Sequence, residues 1–177
     1  MVKLNKAIFL DRDGVIVRSI IINKKGYAPR TLNEFRILPL SQKYCKILKK
    51  KNFKLILVTN QPDVGKGLIS KKVLNKMHQI LKDKLKLDAI YTSFSTSNKS
   101  YNKKPNPGML IKAKKKYKLN MDKCFLIGDR RGDILAADKL NCRSVFIDRK
   151  YREIKPFTQL ITVKSFPEAV KYIINKI

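Results

Sequence analysis

Three short apolar runs in this chain each end in a polar signature, and that repetition limits the folds open to it more than any other feature. Ala7-Ile8-Phe9-Leu10 runs into Asp11-Arg12-Asp13-Gly14, Leu55-Ile56-Leu57-Val58 into Thr59-Asn60-Gln61, and Phe125-Leu126-Ile127-Gly128 into Asp129-Arg130-Arg131-Gly132-Asp133. Runs apolar at every position are the mark of strands covered on both faces. In an open parallel sheet, ligands bind beyond the carboxyl ends of the strands. Three strand-then-signature units therefore predict one shared site. A fourth signature, Lys104-Pro105, comes just before a helix start at Pro107-Gly108.

The rest of the chain follows the same alternation of short apolar runs with helical periods, which marks βα units around a parallel sheet. Strands are predicted at 7–10, 54–58, 89–92, 124–127 and 144–147. Leu40, Tyr44, Ile47 and Leu48 fall on one face of a first helix ending near Asn52. Ser70 N-caps a second, with Val73, Leu74, Met77, Ile80 and Leu81 in its apolar stripe, and Pro107 suits the first turn of a third. A fourth is predicted over 134–140, and Ser165 with Glu168 forms a capping box opening a last helix through Ile173. Two segments stand outside this scheme. Val17–Arg36 reads as a flap or hairpin over the site, and Ser93–Lys103 as an exposed polar loop. Neither is long enough for a cap domain. The expectation is an α/β fold, a Rossmann-like three-layer sandwich with a central parallel sheet, in which residues 1–177 form a single domain.

Composition narrows the partners. The formal charge is +28, from 41 Lys+Arg against 13 Asp+Glu. Such an excess suits either a nucleic-acid footprint or a solvated basic surface that steers anionic substrates. The lysines are scattered along predicted helices without aromatic interleaving, which favours the second reading and leaves nucleic acid unexpected as a partner. Cys45, Cys124 and Cys142 are an odd number with no CxxC spacing, so the thiols are expected to be reduced and buried. No apolar run approaches the ~20 residues of a membrane helix. A cytoplasmic monomer acting on a small metabolite is the resulting expectation.

The signatures together suit phosphoryl transfer. A carboxylate attacking a phosphate dianion needs a cation to neutralise the site. Asp11 can attack phosphorus to form an aspartyl-phosphate. Asp13, two residues on, can protonate the leaving oxygen and later take a proton from water. Asp11, the carbonyl of Asp13 and Asp129 offer the oxygen ligands that Mg2+ prefers, with Asp133 behind them. Thr59 and the backbone amide of Asn60 suit phosphoryl oxygens, and Lys104 supplies a compact positive charge. Each piece has a bland reading, since Asp-x-Asp-Gly is also common in turns and Gly-Asp-x-x-x-Asp can merely cap a helix. Their occurrence together at strand ends favours the chemical reading.

Phe9–Ile16, Val58–Gln61, Lys104–Met109 and Ile127–Asp133 resemble the four motifs of the haloacid dehalogenase superfamily. The Asp-Arg-Asp-Gly and Lys-Pro-x-Pro-Gly-Met forms are similar to its D,D-heptose 1,7-bisphosphate phosphatase and histidinol-phosphatase branch. The resemblance implies a magnesium-dependent phosphomonoesterase with Asp11 as nucleophile, Asp13 as acid/base and Asp129 as metal ligand. It also implies substrate contacts from Gly26, Tyr27, Asn60, Gln61, Lys103 and Arg130, and it places Gly65-Lys66-Gly67 at a small-residue turn. The branch binds a structural zinc through Cys and His before the Lys-Pro motif. Residues 92–103 contain neither, so zinc is not expected, and His78 reads as a helix-surface residue. A polynucleotide 3′-phosphatase of the same superfamily and a non-catalytic phosphate-binding protein remain as alternatives.

Overall fold

The computed structural model describes residues 5–177. Six parallel strands form its sheet in the order β5-β4-β1-β6-β7-β8. They are β1 (Lys6–Leu10), β4 (Phe53–Asn60), β5 (Ala89–Ser93), β6 (Phe125–Gly128), β7 (Arg143–Ile147) and β8 (Ile161–Val163). A separate antiparallel ribbon pairs β2 (Ile20–Ile22) with β3 (Lys25–Tyr27). The helices are α1 (Ser41–Lys50), the single turn α2 (Pro62–Gly65), α3 (Lys71–Leu85), α4 (Gly108–Tyr117), α5 (Arg131–Asp138) and α6 (Phe166–Asn175).

Successive side chains on a strand point to opposite faces, and the core divides accordingly. Ile8, Leu10, Leu55, Leu57 and Ile127 meet α1, α3 and α6 on one face, through Leu48, Leu74, Met77 and Ile173. Ala7, Phe9, Ile56, Val58 and Leu126 meet Leu110 and Ala113 of α4 and Ala136 of α5 on the other. Three layers result. The five predicted strands lie where the alternation put them, with ends shifted by one or two residues. The edge strand β8 was not anticipated, because it is only three residues long and only Val163 is buried.

Two helices differ from expectation. Leu40 is not on the buried face of α1. It is the N-cap, in left-handed backbone at φ 65, and is exposed, while Ser41, Cys45 and Leu48 make the buried stripe. α5 begins at Arg131, a turn before the apolar run, because the Asp133 side chain accepts from the Arg130 backbone N–H at 3.0 Å and caps it. The Ser165–Glu168 capping box is present. All three cysteines are free and buried. Among the described residues no helix is long and apolar enough to cross a membrane.

Candidate active site

The adjacency of β4, β1 and β6 in the sheet brings their three signatures together at one edge. Asp11 follows β1 directly, and its N–H bonds to Ile127 O of β6 at 3.0 Å, which fixes the first carboxylate against the third motif. Beyond it the chain turns tightly around Arg12 O, which accepts from the amides of Ile16 and Val17 at 3.1 and 2.9 Å. Gly14 sits in this turn at φ +81, where a Cβ would strike Asp129 Oδ2 and the Tyr151 hydroxyl. A glycine is required on both counts.

One carboxylate oxygen from each of Asp11, Asp129 and Asp133 falls within 4.8 Å of the others, and all three residues are buried. Lys104 is buried among them. Its ammonium reaches Asp11 Oδ1 at 2.7 Å, Asp133 Oδ1 at 2.5 Å and Val58 O at 2.7 Å. An ammonium has three N–H donors, so Lys104 is fully committed to the protein. Its charge acts on the site, while its hydrogen bonds hold the site together. Burial pulls its pKa down, but Asp11 and Asp133 outweigh that and hold it above the ordinary lysine range.

Three carboxylates against one ammonium leave two negative charges uncompensated at the centre of this cluster. Both oxygens of Asp129 are buried without a hydrogen-bond partner, and the Tyr151 hydroxyl beside them is bonded to Ser19 Oγ at 3.0 Å. Burial, reinforced by Asp11 and Asp133, drives the Asp129 carboxyl well above the usual range. Burial likewise lifts Asp133 to about 6, against the pull of Lys104. An orphaned buried carboxylate with two unmatched charges fits a divalent cation held by oxygen ligands. Asp133 has one oxygen on Lys104 and the other on the Arg130 amide, which leaves Asp11 and Asp129 as the available side-chain ligands.

A cavity of about 430 Å³ opens above this cluster. Asp11, Asp13, Asn60, Gln61, Gly26, Tyr27, Lys103, Lys104, Arg130 and Asp133, all expected at the site, line it. Thr59 and Asp129 do not line it and are buried. Several side chains are engaged differently from the reading of the motifs. The Asn60 amide clamps the Lys104 backbone, donating to its O at 2.9 Å and accepting from its N at 3.0 Å. Gln61 is buried, and its Nε2 donates to Asp13 Oδ2 at 2.8 Å and Thr59 Oγ1 at 2.9 Å. Lys103 bonds Thr96 O at 2.8 Å and Asn98 Oδ1 at 2.9 Å, within its own loop. Arg130 pairs with Glu153, donates to Gly26 O and lies 5.1 Å from the Tyr151 ring centre. It ties the β2–β3 ribbon to the segment after β7. Gly26 admits the Tyr151 side chain, which a Cβ there would strike.

Arg12, Tyr151 and Glu153 have contacts that no motif signals, and His78 is not the helix-surface residue expected. His78 is buried, with Nε2 3.4 Å from Arg12 Nη1. A signal was present: Leu74, Met77, His78, Leu81 and Leu85 form the buried stripe of α3, and His78 occupies a helical-period position within it. For Tyr151 and Glu153 the sequence carries no local signal, because their partners are more than a hundred or some twenty residues away.

The chain is similar to known proteins over most of its length. The profile of the polynucleotide kinase 3 phosphatase family matches residues 6–157. The chain is 31% identical over 139 residues to a D-glycero-beta-D-manno-heptose-1,7-bisphosphate 7-phosphatase from Helicobacter pylori, covering 75% of this chain and 77% of that protein. It is 32% identical over 136 residues to a D-glycero-alpha-D-manno-heptose-1,7-bisphosphate 7-phosphatase from Campylobacter jejuni, covering 74% and 75%. A crystal structure of D,D-heptose 1,7-bisphosphate phosphatase from B. bronchiseptica, complexed with magnesium and phosphate, superposes with a TM-score of 0.83 at 20% identity, covering 98% of this chain and 100% of that one.

Proposed function

Because the chain belongs to the polynucleotide kinase 3 phosphatase family, within the haloacid dehalogenase superfamily, we propose that it is a magnesium-dependent phosphomonoesterase that hydrolyses a heptose 1,7-bisphosphate. The observation that carries this reading is the buried triplet of Asp11, Asp129 and Asp133 neutralised in part by Lys104. The names of the two relatives at 31% and 32% identity supply the sugar.

Asp11 and Asp129, with the carbonyl of Asp13, would hold magnesium, which when bound supplies the positive charge a carboxylate needs to approach a phosphate dianion. Asp11 attacks phosphorus, and the bond from phosphorus to the ester oxygen breaks with its electron pair on that oxygen. Asp13 delivers the proton to it. Water then attacks the aspartyl-phosphate, Asp13 removes a proton from that water, and Asp11 is released with inorganic phosphate. Lys104 keeps Asp11 in place beside two other carboxylates. Asp133 orients Lys104 and caps α5, so its role is to hold the site rather than to touch substrate. The sugar occupies the cavity between the β2–β3 ribbon and Lys66, Arg130 and Arg131. The same reading takes the protein as a cytoplasmic monomer, in keeping with three buried free thiols.

The test is phosphate release, with magnesium, from both anomers of heptose 1,7-bisphosphate, from histidinol phosphate and from a 3′-phosphorylated oligonucleotide. Turnover highest on a heptose bisphosphate, and abolished by Asp11→Asn, is the expected result. The +28 charge and the matched family profile favour the oligonucleotide as the second reading. Faster turnover there, falling steeply with salt, would replace the sugar assignment.

A further inference from the structure

Arg12 is the largest side chain with no solvent exposure in the described chain, and the proposed reaction gives it no part. Burying a guanidinium is costly unless its donors are matched, and here they are matched to one neighbourhood. Nε donates to Asp13 Oδ1 and Oδ2 at 3.0 and 3.1 Å. Nη2 donates to Gln61 Oε1 at 3.0 Å, and Nη1 lies 3.4 Å from His78 Nε2. Gln61 closes the ring by donating to Asp13 Oδ2 at 2.8 Å. Asp13 is thus held by two donors that are themselves hydrogen-bonded to each other.

His78 braces the guanidinium from the far side. An arginine N–H can only donate, so Nε2 of His78 must present its lone pair and the ring must be neutral. Burial, with help from the Arg12 charge, lowers its pKa to about 4 and keeps it so. Neither Arg12 nor His78 lines the cavity, and both are buried beneath it.

We infer that Arg12 is the positioning residue for Asp13, fixing its carboxyl group toward the leaving oxygen, with Gln61 and His78 fixing Arg12. This rests on the reading of Asp13 as the acid/base group. Such positioning has a consequence that a merely structural arginine lacks. Proton delivery matters for a basic leaving group such as a sugar alkoxide, and far less for p-nitrophenolate. Loss of positioning must therefore depend on the leaving group.

The experiment compares kcat on the heptose bisphosphate and on p-nitrophenyl phosphate, with magnesium, for wild type, Arg12→Met, Asp13→Asn and the double variant. Arg12→Met is expected to lose ~100-fold or more on the sugar ester and less than ~10-fold on the aryl ester. It should add nothing on the sugar ester once Asp13 is already Asn. Equal losses on the two esters, or full additivity in the double variant, overturn the inference. If Arg12→Met does not fold, His78→Leu decides, with a smaller loss expected on the sugar ester alone and its rescue by His78→Gln, which restores an acceptor. A His78→Leu enzyme that loses nothing, or loses equally on both esters, also overturns it. A wild-type chain without Asp11-dependent turnover of either ester defeats the hydrolase reading itself, a different result from a selective or unselective loss.

Discussion

Lys103 and Lys104 are adjacent in the chain, yet their ammonium groups belong to two regions built on different terms. Lys104 is buried on the floor of the cavity, between Asp11 and Asp133. Lys103 lies on the rim, holding Thr96 O and Asn98 Oδ1 of an exposed loop. On the floor, Asp11 and Asp129 follow directly on β1 and β6, their positions set by sheet register, Lys104 reaches in from a loop, and low dielectric makes each contact strong. On the rim, loops supply contacts that water screens, so each is worth little. A site of this kind separates fixed chemistry from adjustable recognition by depth.

The sharpest way to break that contrast is to remove the floor cation. Lys104→Met leaves buried carboxylates unpaired, and a loss of about 3–5 kcal/mol in urea unfolding is expected, together with activity. A loss below 1 kcal/mol would mean that the floor is no more demanding than the rim.

The second test uses pH. His78 has a pKa of about 4 in the folded chain and near 6.5 when unfolded. As pH falls below about 6.5 the unfolded chain takes up a proton that the folded chain refuses. This contribution to stability is therefore present above that pH and is lost by about pH 4, with up to roughly 3 kcal/mol at stake. The difference in unfolding free energy between wild type and His78→Gln should follow that window, and a difference independent of pH would contradict it.

Two smaller effects complete the series. Gly14→Ala forces a side chain into left-handed backbone and against Asp129, at a cost of about 1–3 kcal/mol, seen as a lowered Tm. Lys103→Ala should cost less than about 1 kcal/mol and change KM by a few fold at constant kcat. A large fall in kcat for Lys103→Ala would move that residue to the floor.

Legibility in the sequence follows the same division. The floor was readable because each strand carries its chemistry within a few residues of its own end: Asp11 after β1, Thr59 within β4, Asp129 after β6. Arg12 stood in plain view between two aspartates, but its partners Gln61 and His78 are 49 and 66 residues away. The contacts of the rim residues were not readable for the same reason. Arg130 meets Gly26 across 104 residues and Tyr151 meets Ser19 across 132, distances over which apolar periodicity says nothing. Leu40 misled because apolar spacing suggested a buried face, whereas the turn into α1 needed a left-handed residue there.

The central claim is that Asp11 and Asp129 share one divalent cation beside Lys104. Calorimetric titration of the wild-type chain and of Asp129→Asn with magnesium tests it most directly. One magnesium per chain, bound at least ~10-fold more weakly by the variant, is the predicted result. Equal affinity in the two chains would contradict it.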